Sequence, residues 1–317
     1  MQDSNLRPCA CKAPALPLRQ STTLPRENRG LDILAQNSPI FKNNLIMWYN
    51  RAEMTKKIGI IGGMGPAAGC DLYNKMLALT PAKCDQEHIH VILDSDTSIP
   101  DRTDFIMDNE KLKLQNGEST IEGGAPIIPE LLEKHVVHDP VAQSPLPEIQ
   151  KSAKMLEAAG CEALSMPCVT AHYHEEELIN CVDIPFISIT EAVADTLQEM
   201  GAKKASILVT NGSLCGQIFR PHLEKHGIEP VYPTMEEQKL IMDLIYKYVK
   251  HGNIDKVHED FENVKAMLAH FEEQGSDAHI LGCTEIPIAF ELLGIKADNI
   301  VDSTLELAKA TVKFATA

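Results

Sequence analysis

Cys168 and Cys283 close two segments of matching layout. One runs Gly160-Cys-Glu-Ala-Leu-Ser-Met-Pro-Cys168-Val-Thr and the other Gly275-Ser-Asp-Ala-His-Ile-Leu-Gly-Cys283-Thr-Glu. In each, an alanine follows the glycine by three positions and a cysteine follows the alanine by five. A glycine that ends a helix, followed by a short apolar run, is the pattern of a strand carrying its last residue to the carboxyl edge of a sheet. Two thiols delivered in this way can face each other across a cleft. That arrangement suits inversion at carbon, in which one sulfur removes a proton from one face and the other returns a proton to the opposite face. A thiol of pKa about 8.5 is mostly protonated at neutral pH, so one of the pair must be shifted; each cysteine sits where a strand hands over to a helix, whose N-terminus favours a thiolate. A single cysteine at a strand end is more often a small buried hydrophobe. The doubled spacing outweighs that reading here.

The glycines at Gly62, Gly63 and Gly65 follow an apolar run, Lys56-Lys-Ile-Gly-Ile-Ile61, and precede Pro66. A dinucleotide fingerprint needs G-x-G-x-x-G, which this spacing matches poorly, although Asp94 lies about where a ribose-binding acid would. A tight turn that presents the backbone N–H groups around Gly63 and Met64 at a helix N-terminus would hold a carboxylate equally well.

Strands are expected at Lys56–Ile61, His90–Leu93, Ala163–Met166 and Pro185–Ile189, with helices from Pro66 to Leu79 and Ser152 to Ala159. The second half repeats the plan. Lys203-Lys-Ala-Ser-Ile-Leu-Val-Thr-Asn-Gly212 echoes the first strand and turn, helices are expected over about 236–250 and 255–273, then strands at His279–Leu281 and Ile300–Val301 and a closing helix from Ser303. Alternating strands and helices give an α/β fold with parallel sheets covered on both faces. The first half is longer: Lys56 to Cys168 spans 112 positions and Lys203 to Cys283 spans 80. The surplus of 32 falls within about 104–147, rich in Gly and Pro, with a short helix around Glu130–His135; it reads as a surface excursion, with a lid as the functional alternative.

Composition narrows the partners. The net charge of −16 argues against nucleic acid and anionic membranes, and an anionic substrate would need a local cation. Nine scattered cysteines without a Cys-x-x-Cys pair fit a reducing cytoplasm and argue against a zinc ribbon. No apolar run approaches the roughly 20 residues of a membrane span. Residues 1–53 carry seven Lys/Arg against four Asp/Glu, five prolines and no sustained period, and lack a secretory h-region. They read as a disordered or artefactual extension ahead of a natural start at Met54, with a targeting leader as the alternative.

Four ordered motifs, Ile60-Ile-Gly-Gly-Met-Gly-Pro66, Ile99-Pro-Asp-Arg-Thr103, Met166-Pro-Cys-Val-Thr-Ala-His172 and Leu281-Gly-Cys-Thr-Glu-Ile-Pro287, resemble the aspartate/glutamate racemase family on its aspartate racemase branch. The likeness runs from about Lys56 to the C-terminus. It implies two pseudo-symmetric domains with the active site between them, no cofactor, a homodimer, and a final helix packed back on the first domain. The domains would be 54–190 plus 300–317, and 191–299. It also implies an amino-acid substrate, whose weakly acidic α-proton needs a positioned base and stabilisation of the carbanion.

In this frame Cys168 and Cys283 are the proton-transfer pair. Arg102 is the cationic anchor, its planar fork suited to a carboxylate; a salt bridge with Asp101 or Asp104 is the plainer role for it. Thr170 and Thr284 lie beside the α-carboxylate, with Met64 and Gly63 in the turn. His172 and Glu285 are supporting or capping groups. His172 and His174, two apart on a helix start, diverge, so no metal is expected. Two departures bear on the substrate: the family usually has Asn after the first cysteine where this chain has Val169, and a lysine is common in the loop where it has Leu214-Cys215-Gly216. Aspartate or glutamate is the expected substrate. The alternatives are a maleate-type cis–trans isomerase or decarboxylase with one nucleophilic cysteine, or a protein that binds an amino acid without turning it over.

Overall fold

The apolar run Ile58–Ile61 forms β1, buried at all four positions. The computed structural model describes residues 55–118 and 124–317, so the extension expected over 1–53 lies outside the described residues. Helix α1 (Pro66–Leu79) follows, with Pro66 in its first turn. Then come β2 (Val91–Asp94), α2 (Arg102–Gln115), α3 (Ile128–Lys134), α4 (Leu146–Ala158), β3 (Ala163–Ser165), α5 (Glu175–Ile179) and β4 (Phe186–Ile187). The four strands are parallel, in the order β2-β1-β3-β4.

The second half comprises α6 (Ile189–Glu199), β5 (Lys204–Leu208), α7 (Asn211–Cys215), α8 (Arg220–Lys225), β6 (Glu229–Val231), α9 (Met235–Met242), α10 (Phe261–Glu273), β7 (Ala278–Leu281), α11 (Glu285–Leu293), β8 (Ile300–Asp302) and α12 (Ser303–Ala315). Its strands are again parallel, in the order β6-β5-β7-β8. The same order in both halves is the physical content of the sequence echo. In each sheet the chain goes outward from the first strand to its neighbour and returns to that strand's other side. The carboxyl ends of β1 and β3, and of β5 and β7, therefore flank a crevice where ligands bind in open α/β sheets.

The glycine signals are met in detail. Gly160 (φ +80°) and Gly275 (φ +87°) end α4 and α10 in the left-handed conformation. Cys161 N–H donates to Leu156 O, and Ser276 N–H to Phe271 O, five residues back, so both helices close with the same cap before their strands. Strand β4 is shorter than expected because Ser188 turns away to cap α6, accepting from Glu191 N–H. Strand β6 carries Pro230, which hid it in the sequence and which an edge strand tolerates. The helix expected over 236–250 divides into α9 and a π-helical turn, Asp243–Lys250.

The segment 300–317, read as returning whole to the first domain, divides. Strand β8 pairs with β7 at the edge of the second sheet. Only α12 turns back, onto α1 and α6. It is fastened to the first sheet by Lys56 N–H donating to Ala315 O at 2.9 Å and by Ser165 Oγ against Thr311 Oγ1 at 2.8 Å.

The inserted segment is a packed wedge. Ile106 and Met107 of α2 and Ile128 and Leu132 of α3 share one core with Leu214 and Cys215 of α7. Helix α2 approaches α7 so closely that a Cβ on Gly212 would lie 2.7 Å from Thr103 Cα, which only glycine permits. The expected loop over 104–147 thus carries most of α2 as well as α3, which lies where the short helix was expected, and these helices join the two halves. The signal of α2 was present: Asp101 followed by Asp104 is an N-cap pattern, and the Asp101 carboxylate accepts from Asp104 N–H. The apolar residues Phe105, Ile106 and Met107 stand in a block, which concealed the helical period.

Candidate active site

The crevices of the two sheets meet in one narrow recess. It is lined from the first half by Met64, Asp101, Arg102, Thr103, Cys168, Val169 and Thr170, and from the second by Thr210, Tyr246, Lys250, Cys283, Thr284 and Glu285. Both cysteines, Arg102, Met64 and both threonines singled out from the sequence converge here. Gly63 does not. Its φ is +89°, and a Cβ there would meet Asp96 O at 2.0 Å, so this glycine lets the turn after β1 cross the backbone after β2.

Arg102 opens α2 and is held by the backbone around it. Its Nη1 donates to Pro100 O at 3.0 Å and Ile99 O at 3.4 Å, and its Nη2 to Met64 O at 3.2 Å. These bonds aim the guanidinium into the recess, in place of the loop salt bridge that was its plainer reading. Its buried Nε has no hydrogen-bond partner. Burial would lower the arginine's pKa, but the Cys168 sulfur, and after it Asp101, raise it.

Cys168 leaves β3 in an extended conformation and precedes a 3-10 turn, Val169–His174. His172 braces this corner from behind. Its Nδ1 lies 2.9 Å from Cys168 O and its Nε2 accepts from Ile189 N–H at 3.3 Å, which leaves the proton on Nδ1. Burial lowers the pKa of His172, consistent with a neutral ring. With both nitrogens bound to backbone, it has none to offer a metal. Thr170 reaches across the recess, its Oγ1 2.9 Å from Ser213 Oγ and 3.2 Å from Thr210 Oγ1, the N-cap of α7.

The opposite side has the reverse charge. The Cys283 thiol donates to Glu285 Oε2 at 3.0 Å, and Thr284 Oγ1 donates to the same oxygen at 3.0 Å. Burial, then the Glu285 carboxylate, pushes the Cys283 thiol well above its ordinary pKa, against the opposing pull of Lys250. Glu285 is therefore in direct contact with one of the two sulfurs.

Tyr246 and Lys250 were missed from the sequence. Both stand on the π-helical turn, four residues apart, and line the recess. Lys250 Nζ lies 4.5 Å from the Tyr246 ring centroid and 3.9 Å from Glu285 Oε1. Burial would lower its pKa, but Glu285, Tyr246 and both cysteines raise it, so the ammonium form is favoured. The cation absent from the loop around Leu214 is thus present in the recess from another element. The available signal was the pair Tyr246/Lys250 on one face of an amphipathic segment, which reads equally well as a solvated edge.

Two groups among the described residues could gather around a cation: Asp108 with His135 and His138, and Glu191 with Asp195 and His226. Neither contains a residue of the recess. No helix among the described residues is long and apolar enough to cross a membrane.

The family model described as Asp/Glu/Hydantoin racemase matches residues 61–311. Among solved structures, an aspartate racemase from Picrophilus torridus is 27% identical with a TM-score of 0.60, covering 82% of this chain and 94% of that one. An aspartate racemase homologue from Pyrococcus horikoshii is 25% identical with a TM-score of 0.58, covering 83% of this chain and all of that one. A curated relative, the broad specificity amino-acid racemase RacX of Bacillus subtilis, is 23% identical over 261 residues, 80% of this chain and 96% of the relative.

Proposed function

The chain belongs to the Asp/Glu/hydantoin racemase family, and from that membership we propose a cofactor-independent amino-acid racemase that works by two thiols, with aspartate or glutamate as the first substrates to test. The observation that carries the reading is the meeting of Cys168 and Cys283 in one recess with two cations, Arg102 and Lys250.

In this mechanism a Cys168 thiolate, beside Arg102, takes the α-proton from one enantiomer. The Cys283 thiol, held protonated by burial and Glu285, gives its proton to the opposite face. The pair then stands in exchanged protonation states, with Lys250 available to the new thiolate, and the reverse reaction starts from Cys283. Arg102, Lys250 and the Thr170 and Thr284 hydroxyls hold the carboxylates; Met64 closes the recess beside Arg102. Positioned charge near the α-carbon does what a cofactor does elsewhere, by lowering the energy of the carbanion as it forms. His172 acts through the backbone it braces at Cys168.

The protein works, in this reading, as a cytoplasmic homodimer of two-domain subunits; the cysteines among the described residues are free, as a reducing compartment would keep them. Incubation in heavy water with L-aspartate and with L-glutamate, followed by NMR, tests the activity. Deuterium at Cα together with the appearance of the D-enantiomer is expected; no exchange with any amino acid would remove the proposal. Light scattering tests the dimer.

A further inference from the structure

The recess that holds the cysteines has a neighbour. Arg102, Lys250, Thr284 and Glu285 also wall a second, roomier recess. Its remaining lining is mostly apolar: Pro66, Ala67 and Ala68 from α1, Val249 from the π-helical turn and Ile288 from α11. The further charged group there, Asp71, is already paired with Lys75 at 2.6 Å, so the recess makes no demand for a basic group.

The charges of the cysteine recess point the same way. Its lining carries Arg102 and Lys250 against Asp101 and Glu285. Arg102 gives three of its five N–H groups to backbone carbonyls and keeps its Nε edge for one carboxylate, the substrate's α-carboxylate, while Lys250 faces Glu285. Two cations against two carboxylates leave the lining with no surplus positive charge. Such a site balances a zwitterion, whereas a second substrate carboxylate would meet no unopposed cation. Val169, beside Cys168, offers no hydrogen bond to a polar side chain.

We infer that the second recess is a side-chain subsite, and that the enzyme accepts amino acids with uncharged side chains longer than that of aspartate, L-norleucine and L-methionine being the test cases. The inference rests on the racemase reading and extends it beyond acidic substrates. An unbranched side chain runs along the wall that the two recesses share and ends against Ala68, Val249 and Ile288. There it displaces water from apolar surface, while Arg102 holds the α-carboxylate.

The experiment measures α-deuteration of L-norleucine, L-alanine and L-aspartate in heavy water, with calorimetric binding of L-norleucine as a second readout. Wild type, Ile288→Trp and Val249→Asp are compared; the first substitution fills the subsite and the second makes it polar. The expected result is exchange of norleucine by the wild type, lowered about tenfold or more in both variants, with alanine exchange unchanged. Exchange confined to aspartate and glutamate would overturn the inference, as would norleucine exchange that neither variant alters. Absence of exchange with every amino acid would strike the racemase reading instead. Calorimetry then decides for the subsite: norleucine binding weakened tenfold by Ile288→Trp supports it, and no binding to the wild type overturns it.

Discussion

The two sulfurs stand on equivalent parts of two like sheets and have opposite electrical surroundings. Cys168 follows β3 and lies with Arg102; Cys283 follows β7 and donates to Glu285. The repeated parts of the fold (a capped helix, an apolar strand, a cysteine at its carboxyl edge) account for where the thiols are. The charges come from parts that differ. Arg102 stands at the start of the helical segment after β2, Lys250 at the end of the helical segment after β6, and Glu285 two residues beyond one cysteine with no acidic counterpart beyond the other. A duplicated scaffold thus supplies two like thiols, and unlike connections give them unlike charges for neighbours; in the proposed racemase that difference would let one begin as base and the other as acid.

The severest way to break this comparison is to remove each thiol in turn. Cys168→Ser and Cys283→Ser should each cut racemisation by about 10²–10⁴-fold, the usual worth of a positioned acid or base. Each variant should still exchange the α-proton of the one enantiomer that faces its surviving sulfur. Equal residual exchange of both enantiomers in either variant would end the division of roles.

Arg102 comes next. Loss of its charge in Arg102→Ala should lower kcat/KM by about 10–100-fold, the scale of one charge-assisted hydrogen-bond set. Arg102→Lys should recover part of this, since lysine keeps the charge and loses the fork. Full recovery by lysine would mean that the planar geometry is unused.

Glu285→Gln sharpens the contrast through pH. The carboxylate raises the pKa of Cys283, so removing it should let that thiol ionise at lower pH. The alkaline limb of the rate profile should move to lower pH. A limb that stays in place would assign the shift to burial alone.

The smallest effect concerns stability of the inserted wedge, which has no equal in the second half. Burial would raise the pKa of Asp108, but the Ala142 N–H, His135 and His138 hold it at about 2. A carboxylate depressed in the folded state stabilises above its unfolded pKa of about 3.9 and loses that contribution as pH falls through the folded value. Thermal melts of the wild type should therefore weaken from about pH 4 toward pH 2, and Asp108→Asn should cost about 1–3 kcal/mol at neutral pH, the range for a disrupted buried hydrogen bond.

Much of this architecture was legible in the chain. Gly160 and Gly275 announced two identical helix caps, the short apolar runs announced parallel strands, and the spacing to Cys168 and Cys283 announced two thiols at sheet edges. Such features are local: a left-handed cap or a buried strand depends on a few neighbouring residues. Arg102 and Glu285 were visible as candidates because each lies in a motif with its neighbours. Gly63 was misjudged because what it avoids, the Asp96 carbonyl, is 33 positions away. The helix Arg102–Gln115 was obscured because Phe105, Ile106 and Met107 stand in a block that shows no helical period, whereas the short helix near Glu130 was legible.

What the sequence by itself determined, then, is the repeated unit, the two cysteines and the chemistry two thiols can perform. Tertiary structure alone decided which charge each sulfur meets, since that depends on which distant elements pack beside it. Lys250 is 82 positions from Cys168 and 33 from Cys283, and nothing in its local sequence sets it apart from a solvated lysine. It enters the recess because the π-helical turn carries it there. Electrostatic roles follow distance in space, and the fold sets that distance.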